Sequence, residues 1–289
     1  AIRYVNAIPV FADIVDETDL TIDPGDIDRL VNERTKAVVV MHYAGFPCNM
    51  DAVIEIASDK GLKVIEDACH GPLAEYRGKK LGALGDVGCF SFFSNKNLST
   101  GEGGMLVTGD SSLYERAKRL RSHGMTTLSY ERSKGHSMGY DVVELGHNYR
   151  MDDIRASLGI VQLAKLEDDL VKRAKVRAWY EEALAEIDEV IVPFRGHTGF
   201  VSNYIFPVVI RESCKTGRDE VRKSLQERGV QTSLHYPPVH LFSIYREYTR
   251  HLPVTESVVE RLITLPMYSK LCRDDVDMIV RVLRDAVRS

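Results

Sequence analysis

VIEDACH at residues 64–70 and CFSFFSNK at residues 89–96 are the stretches that decide the fold. Each begins as a short apolar run and ends in charged or polar residues, which is typical of a buried strand in an open α/β sheet. The first run ends at the carboxylate of Asp67, and the second leads to the amine of Lys96. Because such sheets bind ligands beyond the carboxyl ends of their strands, we expect Asp67 and Lys96 to face one cleft.

The N-terminal half of the chain alternates apolar runs with amphipathic segments. This alternation predicts a largely parallel sheet covered by helices on both faces, and therefore an α/β fold. Two helix starts are marked: Asp23-Pro24 offers a cap and a first-turn proline, and Asn49 can cap a helix that ends near Gly61. The apolar runs predicted as strands are residues 8–14, 37–41, 63–65, 87–93 and 105–107.

From Met151 the pattern changes to one long helical stretch, with apolar residues at steps of three and four towards Ile187. A helix of this length commonly connects two domains. The predicted division is a large ligand-binding domain over residues 1–160, and the connecting helix with a small α+β domain over 161–289. The elements predicted in the small domain are a strand over 204–210 and helices over 219–228 and from residue 274.

Composition excludes several classes of partner. The 289 residues are 44% hydrophobic, the net charge is −4 and the pI is near 6.2, so a sizeable core is available but no broad basic surface. Nucleic acid and membrane are therefore not expected, and a small-molecule substrate is favoured. The five cysteines lack CxxC or metal-ligand spacing, which indicates reduced thiols and no metal site. With no membrane-length apolar run and no signal peptide, the protein is expected to be cytoplasmic.

An amine and a carboxylate at one cleft suit the chemistry of pyridoxal 5'-phosphate (PLP). This cofactor forms a Schiff base with a lysine amine, and a carboxylate keeps its pyridine nitrogen protonated so that the ring acts as an electron sink. Taken singly, each residue favours an ordinary structural role, with Lys96 as a solvated loop lysine and Asp67 as a helix cap. Their joint occurrence at two strand ends favours the cofactor site.

Four longer motifs make the chain resemble a known family. They are VIEDACH (64–70), GDVGCFSF (85–92), KNLSTGEGGM (96–105) and HNYRM (147–151), and the resemblance continues through HYP (235–237) and LP (265–266). These motifs are similar to those of the DegT/DnrJ/StrS family of PLP-dependent nucleotide-sugar aminotransferases. The resemblance implies the fold type I PLP-transferase architecture, like aspartate aminotransferase: a mostly parallel central sheet in a large domain and a smaller α+β C-terminal domain.

Carried over by position, the resemblance implies cofactor-binding roles for four residues. Lys96 would bond to PLP and then move a proton between cofactor and substrate. The resemblance therefore implies that Lys96 is catalytic, and it implies the same for Asp67. Asp67 would pair with the pyridinium nitrogen. His70 matches a Gln or His that lies against the cofactor ring or its 3′ oxygen, and Ser91 matches the hydroxyl that binds the cofactor phosphate. By themselves, His70 and Ser91 could also be ordinary structural residues.

Three further residues follow from the resemblance. Asn148 matches an asparagine that reaches the phosphate in the neighbouring subunit's site, which implies a homodimer with shared active sites. By composition alone, Asn148 is an ordinary turn residue after Gly146. His235 and Tyr236 match a substrate-binding segment of the small domain.

The predicted function is PLP-dependent transamination of a nucleotide-linked ketosugar, with L-glutamate as amino donor. Lys96 separates the chain from a subgroup that has histidine at this position and removes a sugar oxygen. A different hypothesis is a non-catalytic protein: an inactive fragment, or a member that retains PLP or sugar binding for regulation. The sugar, the nucleotide and the carbon that is aminated are left open.

Relatives of this kind carry a further segment before the part that matches Ala1. It includes a small-residue turn opening a helix, whose terminal N–H groups bind the PLP phosphate. The sequence shows no counterpart. The large domain is therefore expected to be N-terminally truncated, which leaves open whether the chain folds, dimerises or acts alone.

Overall fold

The computed structural model describes residues 1–126 and 139–289. In chain order, the helices are α1 (Pro24–Leu30), α2 (Met50–Asp59), α3 (Ser111–Leu120), α4 (Asp153–Ala183), α5 (Arg218–Glu227), α6 (Pro253–Arg261) and α7 (Arg273–Val287). The strands are β1 (Ala37–Met41), β2 (Lys63–Asp67), β3 (Glu75–Tyr76), β4 (Lys79–Lys80), β5 (Val87–Ser91), β6 (Gly104–Val107), β7 (Val190–Ile191), β8 (Phe206–Ile210) and β9 (Leu262–Leu265). Across both described ranges, every helix is too short or too polar to traverse a bilayer.

The first sheet carries β1, β2, β5 and β6 in that order. β1 pairs with β2, and β2 with β5, in parallel, whereas β6 runs antiparallel to β5. Asp67, the last residue of β2, is in register with Met41 on one side and with Cys89 on the other. The predicted mostly parallel sheet is confirmed, and Asp67 lies at its carboxyl edge.

Local signals set the starts of the first two helices. The side chain of Asp23 accepts hydrogen bonds from the backbone N–H groups of Gly25 and Asp26 at 2.8 and 3.0 Å. The side chain of Asn49 accepts one from Ala52 N–H at 3.3 Å. Each cap satisfies N–H groups that the first turn leaves unpaired and stabilises its helix by about 1 kcal/mol. Both predicted helix starts are confirmed.

Residues 8–14, predicted as a strand, do not form one. Pro9 has no N–H to donate to a ladder, and the side chain of Ile8 is 62% exposed. Only Ile14 pairs, in an isolated antiparallel bridge with Ile22. The prediction was wrong because an apolar run specifies a strand only where a neighbouring strand can pair with its backbone.

Asp13 instead joins this N-terminal segment to the second half of the chain. Its carboxylate accepts the backbone N–H groups of Val254 and Thr255 at 3.0 and 2.8 Å, in the first turn of α6. A carboxylate is favourable there because it satisfies free N–H groups and opposes the helix dipole. The segment therefore docks on the C-terminal half and adds no strand to the first sheet.

The second half is built on α4 and an antiparallel sheet of β7, β8 and β9. α4 follows Asp152, whose side chain accepts the N–H of Arg155 at 2.8 Å, so the long helix predicted from Met151 is confirmed. Its residue Tyr180 is fully buried in a core shared with the sheet and with α5 and α7. α4 runs across residue 160, and the division of the chain at that point stays a prediction.

A buried carboxylate fixes the end of β2. Both side chains of Glu66 and His42 are fully buried, and His42 Nε2 lies 2.9 Å from Glu66 Oε2. The same oxygen accepts Gly82 N–H at 2.7 Å, and Glu66 Oε1 accepts the N–H groups of Leu84 and Gly85, each at 2.7 Å. Burial alone would raise the pKa of Glu66, but the hydrogen bonds from His42 and the backbone outweigh it and lower that pKa.

Gly82 is required by this arrangement. Its φ is +86°, a backbone conformation that side chains disfavour, and a Cβ there would come within 2.5 Å of the Phe90 ring. The glycine lets the loop turn its N–H towards Glu66 while β5 passes close by. The loop and the strand end are thus held as one unit.

We expect Glu66→Gln to lower the free energy of unfolding by about 3 kcal/mol at pH 7, because the buried donors lose a charged acceptor. The folded pKa lies below the ordinary value of 4.5, so this contribution is present above pH 4.5 and is lost as the pH falls through the lowered pKa. Urea unfolding at pH 7 and at pH 3.5 measures both effects. Glu55→Gln, at an exposed position on α2, is the matched control. Equal losses for the two variants would contradict the assignment.

Candidate active site

Asp67 and Lys96 converge on Cys69, as the strand ends predicted. Lys96 Nζ lies 3.7 Å from Cys69 Sγ. The backbone N–H of Cys69 donates to Asp67 Oδ1 at 3.1 Å. The amine and the carboxylate therefore lie on two sides of one residue, in a half-buried region at the carboxyl edge of the first sheet.

The Lys96 amine also lies over an aromatic ring that sequence analysis missed. Its Nζ is 4.6 Å from the centroid of Tyr204, a buried residue of the second half. Among the described residues, no carboxylate or carbonyl oxygen accepts a hydrogen bond from this amine. No short-range pattern could have identified Tyr204, because 107 residues lie between it and Lys96 in the sequence. Only the tertiary fold brings the two side chains together.

The thiol between the two candidate catalytic groups is neutral at ordinary pH. Burial, followed by the negative charge of Asp67, raises the pKa of Cys69 to about 12, although the charge of Lys96 acts in the opposite direction. A neutral thiol is a weak hydrogen-bond partner. Cys69 therefore contacts Lys96 without forming an ion pair with it.

His70 lies between the two halves of the chain. Its side chain is fully buried, its ring centroid is 4.2 Å from that of Tyr204, and its Nε2 is 3.2 Å from the hydroxyl oxygen of Tyr236. The other ring nitrogen, Nδ1, is a buried polar atom without a hydrogen-bond partner. Burial, then the positive charges of Lys96 and His235, lowers the pKa of His70 to about 2. The imidazole is therefore neutral and has one nitrogen available to a ligand.

The segment at His235 and Tyr236 reaches the same cleft from the small C-terminal part. The Tyr43 hydroxyl donates to the backbone carbonyl of His235, and His235 Nδ1 lies 3.1 Å from the hydroxyl of Thr264. The rings of Tyr204 and Tyr236 both lie against that of His70, with centroids 4.2 and 6.0 Å from its centroid. A cleft of about 220 Å³ opens beside this segment. It is lined by Asn95, Tyr204, Gln231, Ser233, His235 and Thr264, with apolar residues.

Ser91 and Asn148 occupy different surroundings. Ser91 ends β5, and its Oγ accepts the N–H of Phe93 at 3.3 Å, so it lies in the loop that leads to Lys96. Asn148 is exposed and pairs with Ser122 in an isolated bridge. No contact within the described ranges joins Asn148 to Lys96.

These residues fit PLP. Among residues 1–126 and 139–289, no ion pair holds the Lys96 amine and the buried Nδ1 of His70 has no partner; Asp67 supplies a carboxylate for a pyridinium nitrogen. Ser91 adds a hydroxyl of the kind that binds a phosphate oxygen. Lys96, Asp67, His70 and Ser91 are the residues that would hold the cofactor.

Comparison with known proteins gives a family and relatives. The model of the DegT/DnrJ/EryC1/StrS aminotransferase family matches residues 1–284. The chain is 37% identical over 295 residues to the spore coat polysaccharide biosynthesis protein SpsC of Bacillus subtilis. The aligned region covers 99% of this chain and 75% of SpsC. It is 34% identical over 285 residues to GDP-perosamine synthase of Caulobacter vibrioides, over 98% of this chain and 74% of that protein.

A solved structure supports the same relationship. Helicobacter pylori PseC, an aminotransferase involved in the biosynthesis of pseudoaminic acid, matches with a TM-score of 0.90 at 28% identity, over 99% of this chain and 76% of PseC. This similarity confirms the predicted fold type I architecture.

The neutral His70 predicts a specific pH dependence of stability. Its folded pKa is about 2 and its ordinary value 6.5, so the unfolded chain binds a proton below pH 6.5 that the folded protein does not. We expect the free energy of unfolding of the native protein to fall, relative to His70→Gln, by about 1.4 kcal/mol between pH 7.5 and pH 5.5. Urea unfolding across this range measures the two slopes.

His147→Gln, at an exposed histidine, is the control and should keep the native slope. Parallel pH curves for the native protein and His70→Gln would show that His70 is protonated in the folded protein.

Proposed function

The chain belongs to the DegT/DnrJ/EryC1/StrS aminotransferase family, and we propose that it uses PLP on Lys96 to move an amino group from L-glutamate to a ketosugar carried on a nucleotide. The observation that carries this proposal is the convergence of the Lys96 amine and the Asp67 carboxylate on Cys69. The similarity to GDP-perosamine synthase and to a spore coat polysaccharide biosynthesis protein favours a nucleotide-linked sugar and polysaccharide biosynthesis.

Each candidate residue has a distinct role in this proposal. When bound, PLP supplies an electron sink for the carbon that carries the amino nitrogen. Lys96 holds the cofactor and, as a free amine, carries a proton to and from that carbon. Asp67 keeps the pyridine nitrogen protonated by its negative charge. His70 packs against the ring as a neutral imidazole, and Ser91 binds the phosphate.

The small C-terminal part provides the substrate side. His235 lines the cleft and Tyr236 follows it in the chain; the cleft also exposes amide and hydroxyl groups of the kind that bind a sugar. Tyr236 contacts His70, so a substrate bound here would lie next to the cofactor site. His235 and Tyr236 are therefore assigned to substrate binding.

A homodimer would complete the site. Asn148 lies on an exposed surface whose apolar side chains include Leu145, 92% exposed, Tyr149, 69%, and Ile154, 82%. Such a patch is unusual on a protein that stays monomeric, and a second copy of the chain is the proposed occupant. Asn148 would then reach the cofactor phosphate in the neighbouring subunit.

In the alternative hypothesis, the protein is non-catalytic and the same site serves only to bind a ligand. It would retain PLP or sugar binding without a reactive amine. The family and the Lys96 amine, which forms no ion pair within the described part of the chain, favour the enzyme.

Titration with PLP tests the role of Lys96. We expect a visible absorption band that borohydride abolishes, with a pyridoxyl group left on Lys96 in peptide mass spectra, and bleaching of the band by L-glutamate. Lys96→Ala should show no covalent adduct and lower the amino-transfer rate by at least about 100-fold, because proton transfer is lost. Asp67→Asn should keep the adduct and slow the transfer.

Lys79→Ala changes an exposed hairpin lysine and serves as the control. An adduct that persists in Lys96→Ala, or that maps to another lysine, would contradict the assignment. PLP binding without any adduct in the native protein would favour the non-catalytic alternative.

Mixing two inactive variants tests the shared site. In a mixed dimer, Lys96→Ala and Asn148→Asp fall in the same site, and leave the other site intact, only if Asn148 acts across the interface. Random pairing of the two chains then gives mixed dimers with one intact site, and about a quarter of the native activity should return. Measurement of the transfer rate after co-expression, with each variant alone as control, checks this. No recovery from dimers shown to be mixed would place Asn148 in its own subunit's site.

A further inference from the structure

Lys96 differs from other lysines of the protein in what its amine contacts. Ion pairs tie the amines of Lys63 to Asp86 at 2.6 Å and of Lys80 to Glu75 at 2.7 Å. Within the described residues, the Lys96 amine contacts the Cys69 thiol and the face of the Tyr204 ring. Both neighbours are uncharged.

The Tyr204 ring is held firmly from several directions. Its backbone N–H donates to the carbonyl of Ala44 at 2.9 Å, and its carbonyl accepts from Arg173 at 3.4 Å. Its ring lies beside that of His70, with centroids 4.2 Å apart, and packs edge-on against that of His235, with centroids 6.3 Å apart. A buried aromatic ring fixed in this way presents a constant face to Lys96.

We propose that Tyr204 is the positioning residue for Lys96, whose amine its ring face holds in the cleft whenever that amine is not bonded to the cofactor. This inference rests on the proposed function of Lys96. The face of an aromatic ring carries negative charge density and attracts an ammonium group. The attraction is weaker than a hydrogen-bonded ion pair with a carboxylate.

A weak hold suits the work that Lys96 must do. The amine has to lose a proton before it can attack the cofactor carbonyl or accept a proton from substrate. A carboxylate partner would stabilise the ammonium form strongly and keep the side chain in one place. Tyr204 instead keeps the amine beside Cys69 through a contact that the side chain can leave readily.

Fluorinated phenylalanines at position 204 test this contact without changing the shape of the core. The test uses the full chain, with Tyr204 replaced by phenylalanine and then by its mono-, di- and trifluoro analogues. Fluorine withdraws electron density from the ring face and weakens its hold on a cation. The readout is the rate at which an amine-directed reagent labels Lys96 at fixed pH in the cofactor-free protein, followed by peptide mass spectrometry.

We expect the labelling rate of Lys96 to rise stepwise along the series, by about two- to fivefold from phenylalanine to the trifluoro analogue, because cation–π contacts have this strength. Lys80 is an internal control: its amine lies 5.6 Å from the centroid of Phe200, which is unchanged, and its rate should stay constant. Thermal unfolding checks that each protein is folded. Should the trifluoro protein be unstable, the mono- and difluoro proteins give the same trend in smaller steps.

A flat series for Lys96, or a rise that Lys80 shares, would overturn the inference. The outcome is separable from the proposed function. If labelling follows the series but PLP forms no adduct with Lys96 in the native protein, the positioning role stands and the proposed function fails. If PLP bonds to Lys96 while the series is flat, the proposed function stands and Tyr204 is only a core residue.

Discussion

The buried carboxylate of Glu66 is the constraint on which the candidate site depends. A charge without water is costly to bury, and here four N–H donors, from His42 and from the loop at residues 82–85, satisfy both of its oxygens. These bonds fix the end of β2 against the loop that leads into β5. Because neighbouring residues of a strand point to opposite faces, a fixed Glu66 also fixes Asp67 towards the cleft. The buried Glu66 side chain thus sets the direction of the Asp67 side chain.

The cleft exists only where the two halves of the chain meet. Lys96 and His70 come from the first half, and their nearest aromatic neighbours, Tyr204 and Tyr236, come from the second. These contacts span more than one hundred residues of sequence, so they form only after both halves have packed. The first sheet alone would present Lys96 and Asp67 to water. The second half supplies part of the burial that lowers the pKa of His70 and raises the pKa of Cys69.

Sequence analysis identified features that local chemistry dictates and missed those that packing dictates. The capping side chains of Asp23 and Asn49, and the apolar runs of β1, β2 and β5, act within a few residues, so the pattern revealed them. The segment 8–14 has an apolar pattern but no partner strand, and no local rule shows that absence. Tyr204 belongs to an apolar run that looked like any buried strand, because its contact with Lys96 is created by the tertiary fold. The motif around Asp67 located the site, whereas the surroundings that tune it needed the structure.

Cys69 explains how an amine and a carboxylate can share a cleft without neutralising each other. Were Asp67 and Lys96 in direct contact, each would be the natural partner of the other, and neither would be available to a cofactor. The backbone of Cys69 binds the Asp67 carboxylate, and its side chain meets the Lys96 amine. Since burial keeps the thiol protonated, it adds no charge that would pair with Lys96. One residue therefore contacts both the acid and the amine without adding a charge to the cleft.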